Sequence, residues 1–381
     1  MQHFRFDLQH LPPEADVLRH EVRSFLADAL ADLPRHERAR TWFGVDTDFT
    51  RRVGERGWIG MTWPSEYGGA ERSFLERFVV LEEMLAAGAP VAAHWMADRQ
   101  SGPLLLRFGS EEQKRTILPG ICRGETYFCI GMSEPDTGSD LASVRARAQK
   151  TSDGWRLEGT KLWTSGAAMA HFMVGLFRSG EEERHAGLSQ FLIPMDTPGI
   201  QVRPIRDLAG SDHFCEVVFD AVDLPADALI GEEGGGWKQV MAELAYERSG
   251  PERYLSCHPL LEEMVRELGP VAGERAEVEV GHQVAWLATM RTMSTSVASL
   301  LHAGESPDLE AAVVKDLGAV YEQDQPGRVQ ELLGMAPSRS VSASTSQKML
   351  AHLVMNAPSF SLRGGTREIL RGIIARGLGL R

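Results

Sequence analysis

The chain has 381 residues, enough for two or three domains around sizeable cores, and its 43% hydrophobic content is ordinary for a globular protein. A formal charge of −13, from 40 basic and 53 acidic side chains with no basic block carrying interleaved aromatics, excludes a nucleic-acid partner from expectation. Local arginines and helix N-termini still leave room for a phosphorylated cofactor.

The scattered Cys122, Cys129, Cys215 and Cys257 form no Cys-x-x-Cys pair, so reduced core thiols and no metal are expected. The first residues lack a basic head and an apolar run, and no stretch approaches roughly 18 apolar residues. No membrane insertion and a cytoplasmic location follow as expectations.

From Pro13 to Leu30 the residues Val17, Leu18, Val22, Phe25, Leu26 and Leu30 recur at helical spacing behind a first-turn proline. Gly54 to Gly69 is a loop rich in glycine and aromatics, in which Trp58 and Trp63 are expected to pack irregular backbone into the core. Phe78 to Ala87 resumes a helix. Ser110-Glu-Glu-Gln113 is a capping box that opens another, with Pro119 and Gly120 expected to end it.

The stretch Ile130 to Asp140 is dense in chemistry. Ser133, Thr137 and Ser139 supply hydroxyls, while Pro135 and Gly138 impose a turn whose backbone N–H groups can face a ligand. On composition alone the preferred reading is a surface turn. The period then changes to two: Val144, Ala146 and Ala148 alternate with polar residues, Ser152-Asp-Gly154 turns the chain, and Trp155 and Leu157 return. Apolar runs at Phe172 to Phe177, Phe191 to Pro194, Ile200 to Ile205 and Phe214 to Phe219 suit a small sandwich or barrel.

The glycine run Gly231 to Gly236 lacks the ending of a P-loop and reads as a hinge. Helices are expected over Gln239–Tyr246, Glu277–Leu301, Leu309–Tyr321, Val341–Met355 and Arg367–Leu378. The layout is α+β, with a helical domain over 1–122, a β domain over 123–233 and a C-terminal helical bundle over 234–381.

In order and spacing, five motifs together resemble the acyl-CoA dehydrogenase family of FAD enzymes. They are Gly57 to Gly69, Phe108 to Lys114, Met132-Ser-Glu-Pro-Asp-Thr-Gly-Ser-Asp140, Gly159-Thr-Lys-Leu-Trp-Thr-Ser-Gly166 and Gly364-Gly-Thr-Arg-Glu-Ile369. The resemblance implies that Met132 and Ser133 meet the flavin ring, that Trp163 packs on it and that the Ser165 hydroxyl reaches N5. It also implies FAD contacts at Gln283, Gln330, Gly334, Thr366 and Glu368, and substrate contacts at Ser139, Arg248 and Gly365.

In many members a glutamate precedes the Gly-Thr of the last motif, but here Gly364 stands there and cannot accept a proton. A second subset, resembling isovaleryl-CoA and steroid side-chain dehydrogenases, carries the base before an arginine on the first C-terminal helix. Leu244-Ala-Tyr-Glu247-Arg248 fits that pattern, which makes Glu247 the candidate base, with Glu252 and Glu368 as rivals. The implied reaction is α-proton removal from an acyl-CoA thioester, the enolate oxygen held by a ribityl hydroxyl and the N–H of Gly364, with β-hydride transfer to flavin N5.

A trans-2-enoyl thioester is the product, and an external acceptor such as an electron-transfer flavoprotein reoxidises the flavin. The arginine that reaches a partner's FAD pyrophosphate, followed in the family by Phe-Gly, has only Arg275 as a rough substitute, and Gln330 to Gly334 keeps one glycine of three. Besides a homodimer or homotetramer, a heterotetramer with a homologous subunit is therefore an alternative, as is a flavin oxidase or monooxygenase of the same fold.

Overall fold

The computed structural model describes residues 4–181 and 184–380; the side chains of residues 243–247 lie outside the description. In chain order the helices are α1 (Pro13–Ala29), α2 (Thr47–Glu55), α3 (Phe74–Ala86), α4 (Ala92–Met96), α5 (Gly102–Phe108) and α6 (Glu111–Cys122). Seven strands follow: β1 (Phe128–Gly131), β2 (Arg147–Lys150), β3 (Gly154–Ser165), β4 (Phe172–Arg178), β5 (Leu188–Pro194), β6 (Ile200–Ile205) and β7 (Phe214–Pro225). The chain closes with α7 (Gly236–Glu247), α8 (His258–Leu268), α9 (Glu274–His302), α10 (Asp308–Leu333), α11 (Thr345–Asn356) and α12 (Arg367–Gly377). These elements form two compact units, one of Met1–Val45, Arg72–Val91 and Glu247–Arg381, the other of Asp46–Glu71 and Ala92–Tyr246.

The second unit contains the β-sheet. Its strands run in the order β1-β4-β2-β3-β7-β6, with β5 paired to β4, as one curled sheet. β2 and β3 form the expected hairpin, Ala148 opposite Leu157, closed by Thr151 N–H donating to the Gly154 carbonyl at 2.9 Å. Alternation sends Val144, Ala146, Ala148, Trp155 and Leu157 inward. Trp155, Phe177, Phe191 and Phe219 meet edge to face in that core at centroid separations of 5.1–6.1 Å, each burial stabilising the fold by roughly 1.5–3 kcal/mol.

The helices of this unit show what the tryptophan loop does. Trp63 lies against Gly102, where an added Cβ would sit 2.1 Å from the indole ring, and Asp98 accepts the Gly60 N–H at 2.8 Å. Asp98 itself belongs to a π-helical turn, Ala97–Ser101, inserted between α4 and α5. Ser110 and Gln113 make the reciprocal capping box. Contrary to expectation, α6 runs through Pro119 to Cys122, because Ile117, Leu118, Ile121 and Cys122 are buried and hold the last turn in place. The missing N–H there faces only the carbonyl of Arg115, an exposed residue.

In the first unit, α1 buries Leu18, Val22, Phe25 and Leu26. Its Arg19 and Arg23 pair with Glu82 and Glu83 of α3, and Arg291 of α9 joins Glu82 at 2.6 Å. α8 is a helix the sequence reading passes over. α10 continues well beyond Tyr321 to Leu333, and α11 begins at Thr345 behind a Ser344–Gln347 capping box rather than at Val341. No helix among the described residues is long and apolar enough to cross a membrane, and all four cysteines are free and buried.

Candidate active site

In the sheet unit the Met132–Ser133 loop is stitched to β3. Leu162 N–H donates to the Ser133 carbonyl at 2.8 Å, and the fully buried Lys161 Nζ donates to the Met132 carbonyl at 3.3 Å and to Glu134 Oε1 at 2.8 Å. The same Glu134 carboxylate accepts the N–H groups of Arg145 at 2.6 Å and Ala146 at 2.9 Å. Lys161 also sits 4.8 Å over the Phe177 ring. Burial pulls its ammonium down to about 8, against the opposing pull of Glu134.

Two residues further on, Trp163 has φ +60°, in the left-handed region, where β3 bulges against β7 between Lys161 and Thr164. The bulge turns the indole outward. It is 54% exposed and touches Phe214 edge-on at 5.9 Å. An outward tryptophan on strained backbone is a pattern found at binding sites. Thr137 Oγ1 and Thr164 Oγ1 are buried with no partner among the described residues. Ser165 is half-buried beside Trp163, whereas Ser139 is exposed at the far end of the loop.

In the helical unit Arg248 is buried, and its Nε donates to the Gly364 carbonyl at 3.1 Å. Gly364 and Gly365 have φ +67° and +98°, which glycine adopts without strain. Thr366 caps α12, and Glu368 lies exposed in its first turn, its carboxyl held below the usual range by its own backbone N–H and by Thr366. Glu247 ends the backbone of α7, one residue from Arg248; its side chain lies outside the described residues. The rival Glu252 is buried in a separate turn, Pro251–Arg253, with Arg253 at 3.7 Å.

Gln283 on α9 donates through Nε2 to Glu279 at 2.6 Å, while its Oε1 is buried without a partner among the described residues. It lines a cavity of about 260 Å³ with Trp286, Tyr321, Gln325 and Arg328. A second cavity, about 420 Å³, is lined by Arg275 and Arg328 together with Glu274, Glu279 and Glu331. Arg275 is already engaged by Glu331 at 2.6 Å and Arg328 by Glu279 at 3.6 Å. Gln330 is half-buried near the end of α10, and Gly334 caps that helix in the left-handed conformation.

Comparison with known proteins points to one family. The N-terminal domain model of acyl-CoA dehydrogenases matches residues 12–125 and the middle domain model residues 129–222. Acyl-CoA dehydrogenase IpdE1 of Mycolicibacterium smegmatis is 31% identical over 96% of this chain and 98% of its own length. IpdE1 of Mycobacterium tuberculosis is 37% identical over 62% of this chain, a match spanning 63% of that relative.

The chain belongs to the acyl-CoA dehydrogenase family. It is an oxidoreductase by that membership. A solved structure, the Tcur3481-Tcur3483 steroid ACAD, is similar with a TM-score of 0.86 and 29% identity over 98% of both chains. The family's cofactor is FAD. The outward Trp163, the orphaned Thr137 and Thr164 hydroxyls and the orphaned Gln283 carbonyl fit such a group. The acid-rich surroundings of Arg275 do not fit a pyrophosphate.

The sequence reading missed Lys161 and Glu134, although both lie inside quoted motifs. The signal was Lys161's inward register on β3, in step with Trp155 and Leu157.

Proposed function

We propose that this chain dehydrogenates an acyl-CoA thioester of the steroid side-chain class at the α,β bond, with Glu247 as the base. The observation that carries the reading is the Arg248–Gly364 hydrogen bond, which ties the residue after Glu247 to the glycine turn. Glu247 would take the α-proton, and the N–H of Gly364, a backbone donor that survives loss of the side chain, would hold the thioester oxygen as charge develops. Arg248 holds the carbonyl of that same glycine, which supports placing the base-bearing end of α7 and the donor turn in one site.

Met132, Ser133, Trp163 and Ser165 would hold the isoalloxazine, with Gln283, Gln330, Gly334, Thr366 and Glu368 toward the remainder of FAD; Ser139, Arg248 and Gly365 would face the acyl-CoA. When bound, FAD would supply the two-electron oxidant for the β-carbon. An external acceptor, such as an electron-transfer flavoprotein, would reoxidise it.

The acid-rich cavity at Arg275 favours a heteromeric assembly over a homomeric one. A phosphate group there would meet three glutamates and two already-paired arginines. In this reading a homologous second subunit supplies what the cradle lacks. The visible spectrum of the chain, alone and coexpressed with such a subunit, tests both points under anaerobic titration with acyl-CoAs. Flavin that bleaches with a thioester, and that is retained fully only in the coexpressed preparation, is the expected result; full flavin occupancy of the chain alone contradicts the heteromeric point. Flavin that no thioester bleaches but that oxygen reoxidises rapidly after chemical reduction contradicts it and points to an oxidase or monooxygenase.

A further inference from the structure

The glycine turn that carries the proposed donor has no side chain of its own to hold it. Gly364 and Gly365 both have positive φ, and glycine backbone has the most freedom to lose. Arg248 grips the turn on one side, at the Gly364 carbonyl. On the other side stands Arg363, whose carbonyl and the Gly364 N–H share a single planar peptide.

Arg363 is held more firmly than a loop arginine needs to be. Its side chain is 13% exposed, and Nη2 donates to Glu322 Oε2 at 2.5 Å and to Ser256 Oγ at 3.2 Å. The guanidinium carbon lies 4.0 Å from the Trp42 ring centroid and 4.5 Å from that of Phe360, so two aromatic rings flank it. Glu322 is itself 1% exposed and accepts the Ser256 N–H at 2.9 Å. Burial draws the Arg363 guanidinium down to about 10, with Glu322 opposing. Such desolvation is tolerable only with the carboxylate and the rings in place.

We propose that Arg363 is a positioning residue for the reaction, acting through the peptide it shares with Gly364 to aim that N–H at the thioester oxygen. This rests on the reading of Gly364 as the oxyanion donor. The docked Arg363 side chain holds the Cα at one end of that peptide and Arg248 holds the Gly364 carbonyl just beyond the other, so the two together restrict how the plane between them can turn. An oxyanion donor is effective only when it is aligned before charge develops. The contact adds nothing to ground-state binding of the thioester, so its loss acts on kcat rather than KM.

The test separates positioning from simple core stability. In the flavin-loaded protein, or in its complex with a partner subunit if that is what carries flavin, Arg363→Met is compared with the double variant Arg363→Met/Glu322→Gln. Methionine fills the slot between the rings, and glutamine keeps an acceptor for the Ser256 N–H while removing the stranded charge. The single variant is expected to melt at lower temperature and the double to recover most of that loss. In both, kcat for the thioester falls at least tenfold, with KM within about twofold of wild type.

Recovery of kcat together with melting temperature in the double variant overturns the proposal and makes the pair purely structural. A wild-type holoprotein that turns over no thioester sinks the parent reading, and the proposal with it. Turnover in wild type with unchanged kcat in both variants sinks the proposal alone.

Discussion

Two sets of candidate residues, one on a sheet and one on a helical turn, are each backed by a buried cation and carboxylate, but the pairs are built differently. Behind the sheet set, Lys161 is fully buried under backbone: its ammonium bonds Glu134 and the Met132 carbonyl, and Glu134 in turn accepts two N–H groups. Behind the turn, Arg363 is flanked by Trp42 and Phe360, and its partner Glu322 holds one N–H. The difference follows from what each set presents. The sheet offers a side chain, Trp163, on a bulge whose strain must be over-determined from beneath. The turn offers backbone, so its pair grips the chain beside the glycines rather than lying under them.

The largest effect expected from this contrast is on stability. Glu134→Ala leaves a buried ammonium without its counter-charge and the N–H groups of Arg145 and Ala146 without their acceptor, and should destabilise the fold by about 3–5 kcal/mol. Glu322→Ala strands a cation that still has two aromatic faces and Ser256, so a smaller loss of about 2 kcal/mol is expected. Urea unfolding midpoints of the two variants compare them directly, and a reversal of the order breaks the contrast.

Next come the backbone effects. Gly365→Ala places a Cβ at φ +98° and should destabilise by about 1–3 kcal/mol. Trp163→Asn should leave stability within about 1 kcal/mol of wild type, since relief of roughly 1–2 kcal/mol of left-handed strain offsets the roughly 0.5–1.5 kcal/mol lost with the Phe214 contact. The asparagine variant should nevertheless release flavin at a lower denaturant or salt concentration than wild type, as followed by flavin fluorescence. Unchanged retention there contradicts the role given to Trp163.

The smallest effect is in pH. Lys161 titrates at about 8 in the fold against an ordinary 10.5, so between those values the unfolded chain binds the extra proton and this group's contribution to stability climbs with pH. It is fully present above 10.5 and is lost as pH falls through 8. Arg363, drawn only to about 10, makes no such contribution below that pH. Unfolding curves across this alkaline range should show Lys161→Met/Glu134→Gln losing the climb, while Arg363→Met/Glu322→Gln runs parallel to wild type up to pH 10.

Much of this was legible in the sequence wherever the determinant is local. The α1 stripe, the Ser110 capping box and the Ser152–Gly154 hairpin turn are set by residues within a few positions of one another, and each forms as read except that Val17 of the stripe faces outward. The motif-bearing stretches pointed to the family because their spacing is chemical. Other features depend on partners distant in sequence. The outward turn of Trp163 comes from a bulge against β7, the π-turn at Ala97–Ser101 carries an Asp98 that accepts the distant Gly60 N–H, and continuation of α6 past Pro119 comes from buried residues on its inner face.

α8 is a different case. Its pattern of Leu260, Leu261 and Met264 behind Pro259 was available at helical spacing, so its omission is a failure of reading rather than of information. Arg363 was visible only as one more basic residue. Phe360 lies three residues before it, but nothing in the chain near it announces the ring of Trp42 or the carboxylate of Glu322.

The central claim is that Glu247 removes the α-proton beside the Gly364 turn. Its most direct test is anaerobic single-turnover bleaching of the bound flavin by a reactive thioester, in wild type and in Glu247→Gln with flavin occupancy matched. The account predicts that bleaching in the variant slows at least a hundredfold while thioester binding stays within a fewfold. Bleaching at the wild-type rate would place the base elsewhere and contradict the account.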